Sequence, residues 1–320
     1  MGNENEWLAV HIYYDQHPER VLTSLVQPLR RMLTRQKLIQ QFFFIRYFDD
    51  AGKHIRFRVM GHGQRLHDDV YPLLQTTLDT FMSAYPNVIC SWRQMPYEQE
   101  TERYGGTRAI QIAEQHFCDS SAAILSLIGR DKKWSYDNRL SAALMLHLSF
   151  IHATGFNADI AEKMVTNITS GWLVSAVEYY CQVIKPGEAE NVAEDTVIAA
   201  FEQSYQKQQQ YILPYCLSLW KGVMEGQDLR IGHSNWSRKV KRTHTAFSEL
   251  LRSGQVEIPA RHRHYVAGPP DQADYQLSLF YESYLHMTNN RLGLLNMDEA
   301  FVGYLLLEVI RELKSAALIV

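Results

Sequence analysis

Between Phe42 and Met60 the chain carries two adjacent segments of unlike character, and together they fix what can be built around them. Phe42-Phe43-Phe44-Ile45-Arg46-Tyr47-Phe48 is almost wholly apolar, as a strand covered on both faces would be. Asp49 to Lys53 is the turn. His54-Ile55-Arg56-Phe57-Arg58-Val59-Met60 alternates strictly, with His54, Arg56 and Arg58 on one face and Ile55, Phe57 and Val59 on the other. Side chains two apart on one face of a strand lie about 7 Å from each other, so this limb presents a continuous basic row. Such a row beside a buried strand must be solvated or paired, and an anionic ligand is one way to pair it. The competing reading is an outer face bearing ordinary surface arginines.

The segments around this hairpin complete a unit. Trp7 to Tyr14 reads as a strand, being short, aromatic and β-branched. A helix follows with Leu22, Leu25, Val26, Leu29, Met32 and Leu33 on one stripe, which Pro28 is expected to kink or divide. A second helix places Leu66, Val70, Leu73, Leu74, Leu78 and Phe81 inward, and Pro86-Asn87 turns the chain into a strand over Val88 to Met95. The order β-α-β-β-α-β predicts a ferredoxin-like lobe with both helices on one face and the hairpin strands central.

Beyond it the pattern is helical, over about 107–129, 137–153, 157–184, 191–225, 235–253 and 275–290, with Gly155, Pro186-Gly187 and Gly226 as breaks. A loop spans 254–273 with Pro259, Gly268, Pro269 and Pro270, and Asn296-Met297-Asp298-Glu299 resembles a capping box opening a last helix. The expected fold class is α+β. A ferredoxin-like lobe over 1–105 and a mostly helical half over 106–320 are expected to form one compact unit. No internal repeat is evident.

Several function classes are disfavoured. Net charge is -3, which gives no global field for direct nucleic acid binding. The four cysteines form no Cys-x-x-Cys pair, which fits reduced thiols and a cytoplasmic location and argues against a zinc site. The N-terminus has no secretory pattern, and the apolar run Phe301 to Leu307 is too short for a membrane span. Walker, G-x-G-x-x-G, H-E-x-x-H and G-x-S-x-G patterns are absent.

Weaker candidates remain. In Tyr97-Glu98-Gln99-Glu100-Thr101-Glu102-Arg103-Tyr104-Gly105-Gly106-Thr107 the glycine pair permits close approach of a ligand to a helix start, or Thr107 is simply the N-cap. His147 and His152 lie on an apolar helix and read as core or rim. Arg238, Lys239, Lys241 and Arg242 read as a solvated basic face, with an acidic-peptide contact as the alternative. His286 and Asn290 share a helix face.

Taken in order, Trp7-Leu8-Ala9-Val10-His11-Ile12-Tyr13-Tyr14, Phe44-Ile45-Arg46-Tyr47 with His54-Ile55-Arg56-Phe57-Arg58, Tyr97-Glu98…Glu102-Arg103-Tyr104-Gly105-Gly106 and His286-Met287…Asn290-Arg291 resemble the C-terminal, glutamate-eliminating domain of class I lantibiotic dehydratases. That domain also occurs as a separate chain, the thiopeptide-type bacteriocin biosynthesis protein. The resemblance covers nearly the whole chain, and over 130–270 it rests on length and helical character alone.

The resemblance implies a lyase whose reaction needs neither metal nor redox cofactor, consistent with the absence of those patterns. A separate glutamyl-tRNA-dependent protein would esterify Ser or Thr of a ribosomally made precursor peptide, and this chain would expel glutamate to give dehydroalanine or dehydrobutyrine. It implies catalytic roles for Arg56, Arg58, Arg103 and His286. It also implies substrate contacts at Arg46, His54, Glu100, Tyr104, Asn290 and Arg291, with Asn290 expected to orient the His286 ring. Arginines suit the carboxylates of glutamate and the developing enolate, and histidine suits proton transfer. A homodimer is compatible with the family. Two alternatives stay open: a pyridine-forming cycloaddition enzyme, or a non-catalytic subunit that binds the precursor peptide.

Overall fold

The computed structural model describes residues 4–131, 133–184, 194–227, 230–231, 234–260, 262 and 273–319. The Pro186-Gly187 break and most of the loop expected over 254–273, including Gly268, Pro269 and Pro270, lie outside the described residues. The fold is α+β and helix-rich. By its contacts the chain divides into a sheet unit, 1–100 with 114–134, and a helical unit, 101–113 with 135–320.

The sheet unit holds β1 (Asn5–Tyr13), β2 (Gln41–Asp49), β3 (Gly52–His62) and β4 (Ser91–Met95). They lie in the order β2-β3-β1-β4, each antiparallel to its neighbour. Period-two alternation sorts the side chains. Leu8, Val10, Ile12, Phe44, Ile55, Phe57 and Val59 are buried on one side, and the basic row stands on the other. Helical runs over 18–35 (α1) and 63–84 (α2) bury Val26, Leu29, Leu33 and Val70, Leu74, Leu78. Pro28 changes the winding of its helix without interrupting it. The chain stays helical through it by way of a π turn at Leu22–Val26, and a second π turn at Leu66–Val70 precedes Pro72 in the same way.

One expectation fails. Only β3 of the hairpin is internal, and β2 is an edge strand. It is nonetheless apolar because its outer edge is covered. From helix α3 (Ala109–Ile128), Ser121 Oγ accepts the Phe44 N–H at 3.2 Å, and Phe117 packs its ring 5.5 Å from Phe43.

The helical unit is built from α4 (Tyr136–Thr154), α5 (Ala158–Tyr179), α6 (Glu194–Met224), α7 (Trp236–Arg252), α8 (Ala273–Leu292) and α9 (Asn296–Ser315). A two-residue hairpin, Arg230–Ile231 with Ser234–Asn235, precedes α7 and was not foreseen. Among the described residues, side-chain caps start three helices of this unit, as the sequence chemistry favours: Ser135 Oγ accepts from Asn138 N, Asn157 Oδ1 from Ile160 N and Asn235 Oδ1 from Arg238 N. Helix α5 runs beside α9, and Gly303 lets them meet, since a Cβ there would lie 2.5 Å from Thr169 Oγ1. At the start of α9 the Leu295 N–H donates to Asp298 Oδ2 at 2.9 Å, so Asp298 takes the capping part and Glu299 is free to turn inward.

Gly105 and Gly106 adopt φ of 91° and 95°, values that favour glycine. The close approach they permit is to protein rather than ligand. The Glu257 N–H donates to Gly105 O at 2.9 Å, and a Cβ on Gly105 would sit 3.0 Å from Val256 Cγ1 and 3.2 Å from the Phe280 ring. Gly105→Ala should therefore cost about 1–3 kcal/mol of stability, read from urea unfolding; a variant as stable as the parent would show the loop to be unconstrained.

Candidate active site

The basic row of β3 is not a solvated face. His54 is fully buried and Arg58 is 8% exposed. The register sets His11 of β1 opposite Arg56 and Tyr13 opposite His54, while Tyr47 of β2 flanks His54 from the other side. His54 stacks on His11 with ring centres 4.7 Å apart, donates from Nδ1 to Gly52 O at 3.0 Å and accepts from Arg56 Nε at 3.3 Å. The Arg56 guanidinium lies 3.3 Å over the Tyr47 ring. The Arg58 guanidinium lies 4.2 Å from the Tyr97 ring centre and 5.1 Å from that of Phe43. Tyr97 is held in place because its hydroxyl donates to Glu114 Oε1 at 2.8 Å.

This face is electropositive and under-satisfied. Burial pushes Arg58 down to about 10, with Arg56 adding to the effect and Tyr97, Glu100 and Glu114 opposing it, so it stays cationic at neutral pH. Burial, then His54, Arg56 and Arg58, hold His11 down at about 4. Among the described residues, His11 Nδ1 and Arg58 Nε are buried without a hydrogen-bond partner. An unmade buried hydrogen bond costs about 1–3 kcal/mol, and an anion with acceptor oxygens would relieve that cost.

In the helical unit a pocket of about 190 Å³ is lined by Arg103, Asn167, Trp172, His262, Ser283 and His286, among others. Helix α8 supplies His286 and Ser283, α5 supplies Asn167 and Trp172, and the loop before α3 supplies Arg103. Arg103 Nε donates to Ser283 Oγ at 3.2 Å. The His286 ring stacks on Trp172 at 4.6 Å, and its Nδ1 lies 3.0 Å from both carboxylate oxygens of Glu299. Glu299 in turn accepts from Asn289 Nδ2 at 3.3 Å, and Asn289 Oδ1 meets His147 Nε2 at 2.7 Å. Burial raises the Glu299 pKa, and the bonds from His286 and Asn289 oppose the shift. With Nδ1 given to Glu299, the tautomer that remains leaves Nε2 as an acceptor, without a protein partner among the described residues.

Other residues singled out from the sequence fall elsewhere. Arg46 stands on the opposite face of the sheet from the basic row, with Nη1 3.1 Å from Glu19 Oε1. Tyr104 is buried edge-on against Tyr284. Arg291 is fully buried and donates from Nη1 to Met287 O. Asn290 was expected to orient His286, but the ring's Nδ1 partner is Glu299. His147 is core, as its apolar helix suggested. Sequence reasoning missed His11, Trp172, Ser283 and Glu299. The period of β1 places His11 on one face with Trp7, Ala9 and Tyr13, but the register that sets it against Arg56 is not written in either strand alone. Among the described residues no three His, Cys, Asp or Glu side chains gather as metal ligands, and no helix is long and apolar enough to cross a membrane.

Two of the buried histidines, His11 and His147, give a pH dependence. Burial holds His147 at about 4, against 6.5 for a free side chain, with the Asn289 bond opposing, and His11 is also held at about 4. Between these values the unfolded chain binds protons that the folded chain refuses, so stability rises with pH from about 4 to 6.5. Each group contributes at most about 1.4 kcal/mol per pH unit. Urea midpoints should fall on acidification through this window, and the slope should lessen in His147→Gln. An unchanged slope would show His147 to be protonated in the fold.

An α+β protein with a buried basic sheet face and a histidine–carboxylate pair in a helical pocket is the class these features define. The chain belongs to the lantibiotic biosynthesis dehydratase C-terminal family, whose model matches residues 7–310. It is 25% identical over 190 residues to the nisin biosynthesis protein NisB of Lactococcus lactis subsp. lactis, a match covering 57% of this chain and 18% of NisB. Solved structures share the fold, two of them as follows. The tRNA-dependent lantibiotic dehydratase MibB from Microbispora sp. 107891 gives a TM-score of 0.65 at 21% identity, covering 97% of this chain and 28% of that one. TbtD, a pyridine synthase from thiomuracin biosynthesis, gives 0.67 at 14% identity, covering 97% and 99%. The chain thus spans under a third of the length of NisB and of MibB.

Proposed function

We propose that this chain carries out the elimination step of lantibiotic-type dehydration on a precursor peptide. The observation that carries this reading is the His286–Glu299 pair, with an open acceptor nitrogen beside Arg103 in one pocket. In the step, His286 Nε2 takes the α-proton of a glutamylated Ser or Thr. The C–H electron pair becomes the Cα=Cβ bond as the Cβ–O bond breaks, and glutamate leaves as a carboxylate. Arg103 stabilises the enolate charge, and on the sheet unit Arg56 and Arg58 are assigned the binding of carboxylate. His54 keeps the Arg56 guanidinium in place, and Glu100 moderates Arg58. We also read the sheet unit as ferredoxin-like, on the strength of its strand order and antiparallel pairing.

The elimination step alone is assigned to these residues, and glutamylation is left to a glutamyl-tRNA-dependent partner protein. A peptide bearing a synthetic glutamyl ester on Ser should lose glutamate on incubation with this protein, as read by mass spectrometry. Unmodified precursor with glutamyl-tRNA should stay unchanged until the glutamylating partner is added. Dehydration without that partner, or an untouched glutamyl ester, would refute the assignment. A second reading, pyridine formation from two dehydroalanines, is favoured by one observation: the alignment covers 99% of TbtD. Turnover of a pre-dehydrated peptide, with the glutamyl ester ignored, would select it.

A further inference from the structure

The basic run on α7 and His152 of α4 are left unused by the proposed reaction, and the structure brings them together. A cavity of about 420 Å³ in the helical unit is lined by His152, Thr154 and Gly155 at the end of α4, by Val223 in the last turn of α6 and Gln227 after it, by the N-cap Asn235, and by Ser237, Arg238, Lys241, His244 and Thr245 of α7. Ser237, Lys241 and His244 follow helical spacing, as do Arg238, Lys241 and Thr245, so one face of α7 forms a wall of donors. Lys239 and Arg242, although in the same basic run, do not line the cavity.

The electrostatics of this wall are one-sided. Among the described residues no carboxylate lines the cavity. Arg238 and Lys241 have no ion-pair partner among the described residues. His152 is held below its ordinary value by burial and then by Lys241. His244 is held down by burial, with Arg252 adding and Asp274 opposing, and its Nδ1 lies 3.0 Å from the Tyr281 hydroxyl. Two fixed cations, two histidines able to donate, and the neutral donors Asn235, Ser237 and Thr245 therefore face one space. The volume exceeds what a bare oxyanion fills and falls in the range of small-molecule sites, with Ala153, Gly155 and Val223 offering apolar surface.

We propose that this cavity is a binding site for a small organic phosphate, with the dianionic phosphoryl group held between Arg238 and Lys241 and the organic body against Val223. Phosphate suits the wall better than a carboxylate does. Its three terminal oxygens can accept from the arginine, the lysine and the hydroxyls at once, and its two charges match the two cations. The site is independent of the elimination chemistry, and its test needs no turnover.

The test is isothermal titration calorimetry of the full chain at low ionic strength with inorganic phosphate, glycerol 3-phosphate and adenosine 5′-monophosphate, and with succinate as a dicarboxylate of equal charge. The expected result is binding of all three phosphates, the organic ones more tightly, with succinate weaker. The Arg238→Ala/Lys241→Ala variant should bind each at least about tenfold more weakly, as removal of charge-assisted contacts predicts. Lys239→Ala removes one charge from the same helix away from the cavity and should bind as the parent does. Both cavity residues are exposed, so the variants should melt with the parent. No heat at millimolar phosphate, succinate as tight as the phosphates, inorganic phosphate alone bound, or equal weakening in Lys239→Ala would each overturn the proposal.

Discussion

His286→Ala, paired with a working glutamylating partner, should leave glutamylated peptide accumulating, with elimination slowed by a factor of about 10²–10⁴, the range typical for a positioned general base. Ester formation belongs to the partner and should continue. The fold should survive. Glu299 keeps the Asn289 amide, and burial already raises its pKa, so it can take a proton instead of holding a stranded charge. The measurement is a time course of peptide mass alongside a thermal melt. Normal dehydration would show that another group moves the proton. A collapsed melt would show that the ring is there for packing against Trp172.

Glu299→Gln should be almost as damaging, by roughly 100-fold or more in kcat with KM little changed, because the group that fixes a histidine's tautomer is worth that much when the ring must act as base. The amide has nearly the same shape, so packing in the 1%-exposed site is preserved. It carries no charge, however, and its NH2 can turn towards Nδ1 and leave the hydrogen on Nε2, the nitrogen that must be bare. Nitrogen-15 spectra of the histidine ring, which need no substrate, should show hydrogen on Nδ1 in the parent and a changed distribution in the variant. Glu299→Asp should recover part of the lost rate. Unchanged spectra together with unchanged kcat would remove Glu299 from the mechanism and leave the proposed reaction itself intact.

Much of this arrangement is legible in the sequence. The alternation over His54 to Val59 fixed the two faces of β3, and the breaks at Gly155 and Gly226 bounded helices to within a few residues. What stayed hidden was relational. The edge position of β2 was masked because Phe117 and Ser121, more than seventy residues on, give an edge strand the composition of an inner one. His11 became part of the basic face only through strand register. Glu299 reads locally as one acid in a helix start, and that local reading is correct for Asp298 beside it; nothing short-range says that Glu299 turns to a histidine thirteen residues earlier. Gly105 and Gly106 announced a close approach but not what approaches, which is the 256–257 segment.

The two π turns carry a consequence for how the sheet unit is encoded. Leu22-Thr23-Ser24-Leu25-Val26-Gln27-Pro28 and Leu66-His67-Asp68-Asp69-Val70-Tyr71-Pro72 share one seven-residue phrase, leucine, three residues, valine, one residue, proline. Each sits in the helix of one β-α-β half, and in each the leucine and valine are buried while the N–H just before the proline reaches back five residues to the leucine carbonyl. No repeat stood out along the chain because only three letters in seven agree. In space the two halves speak the same sentence, and the lobe is a rhyme whose matching syllables are the few that touch the core.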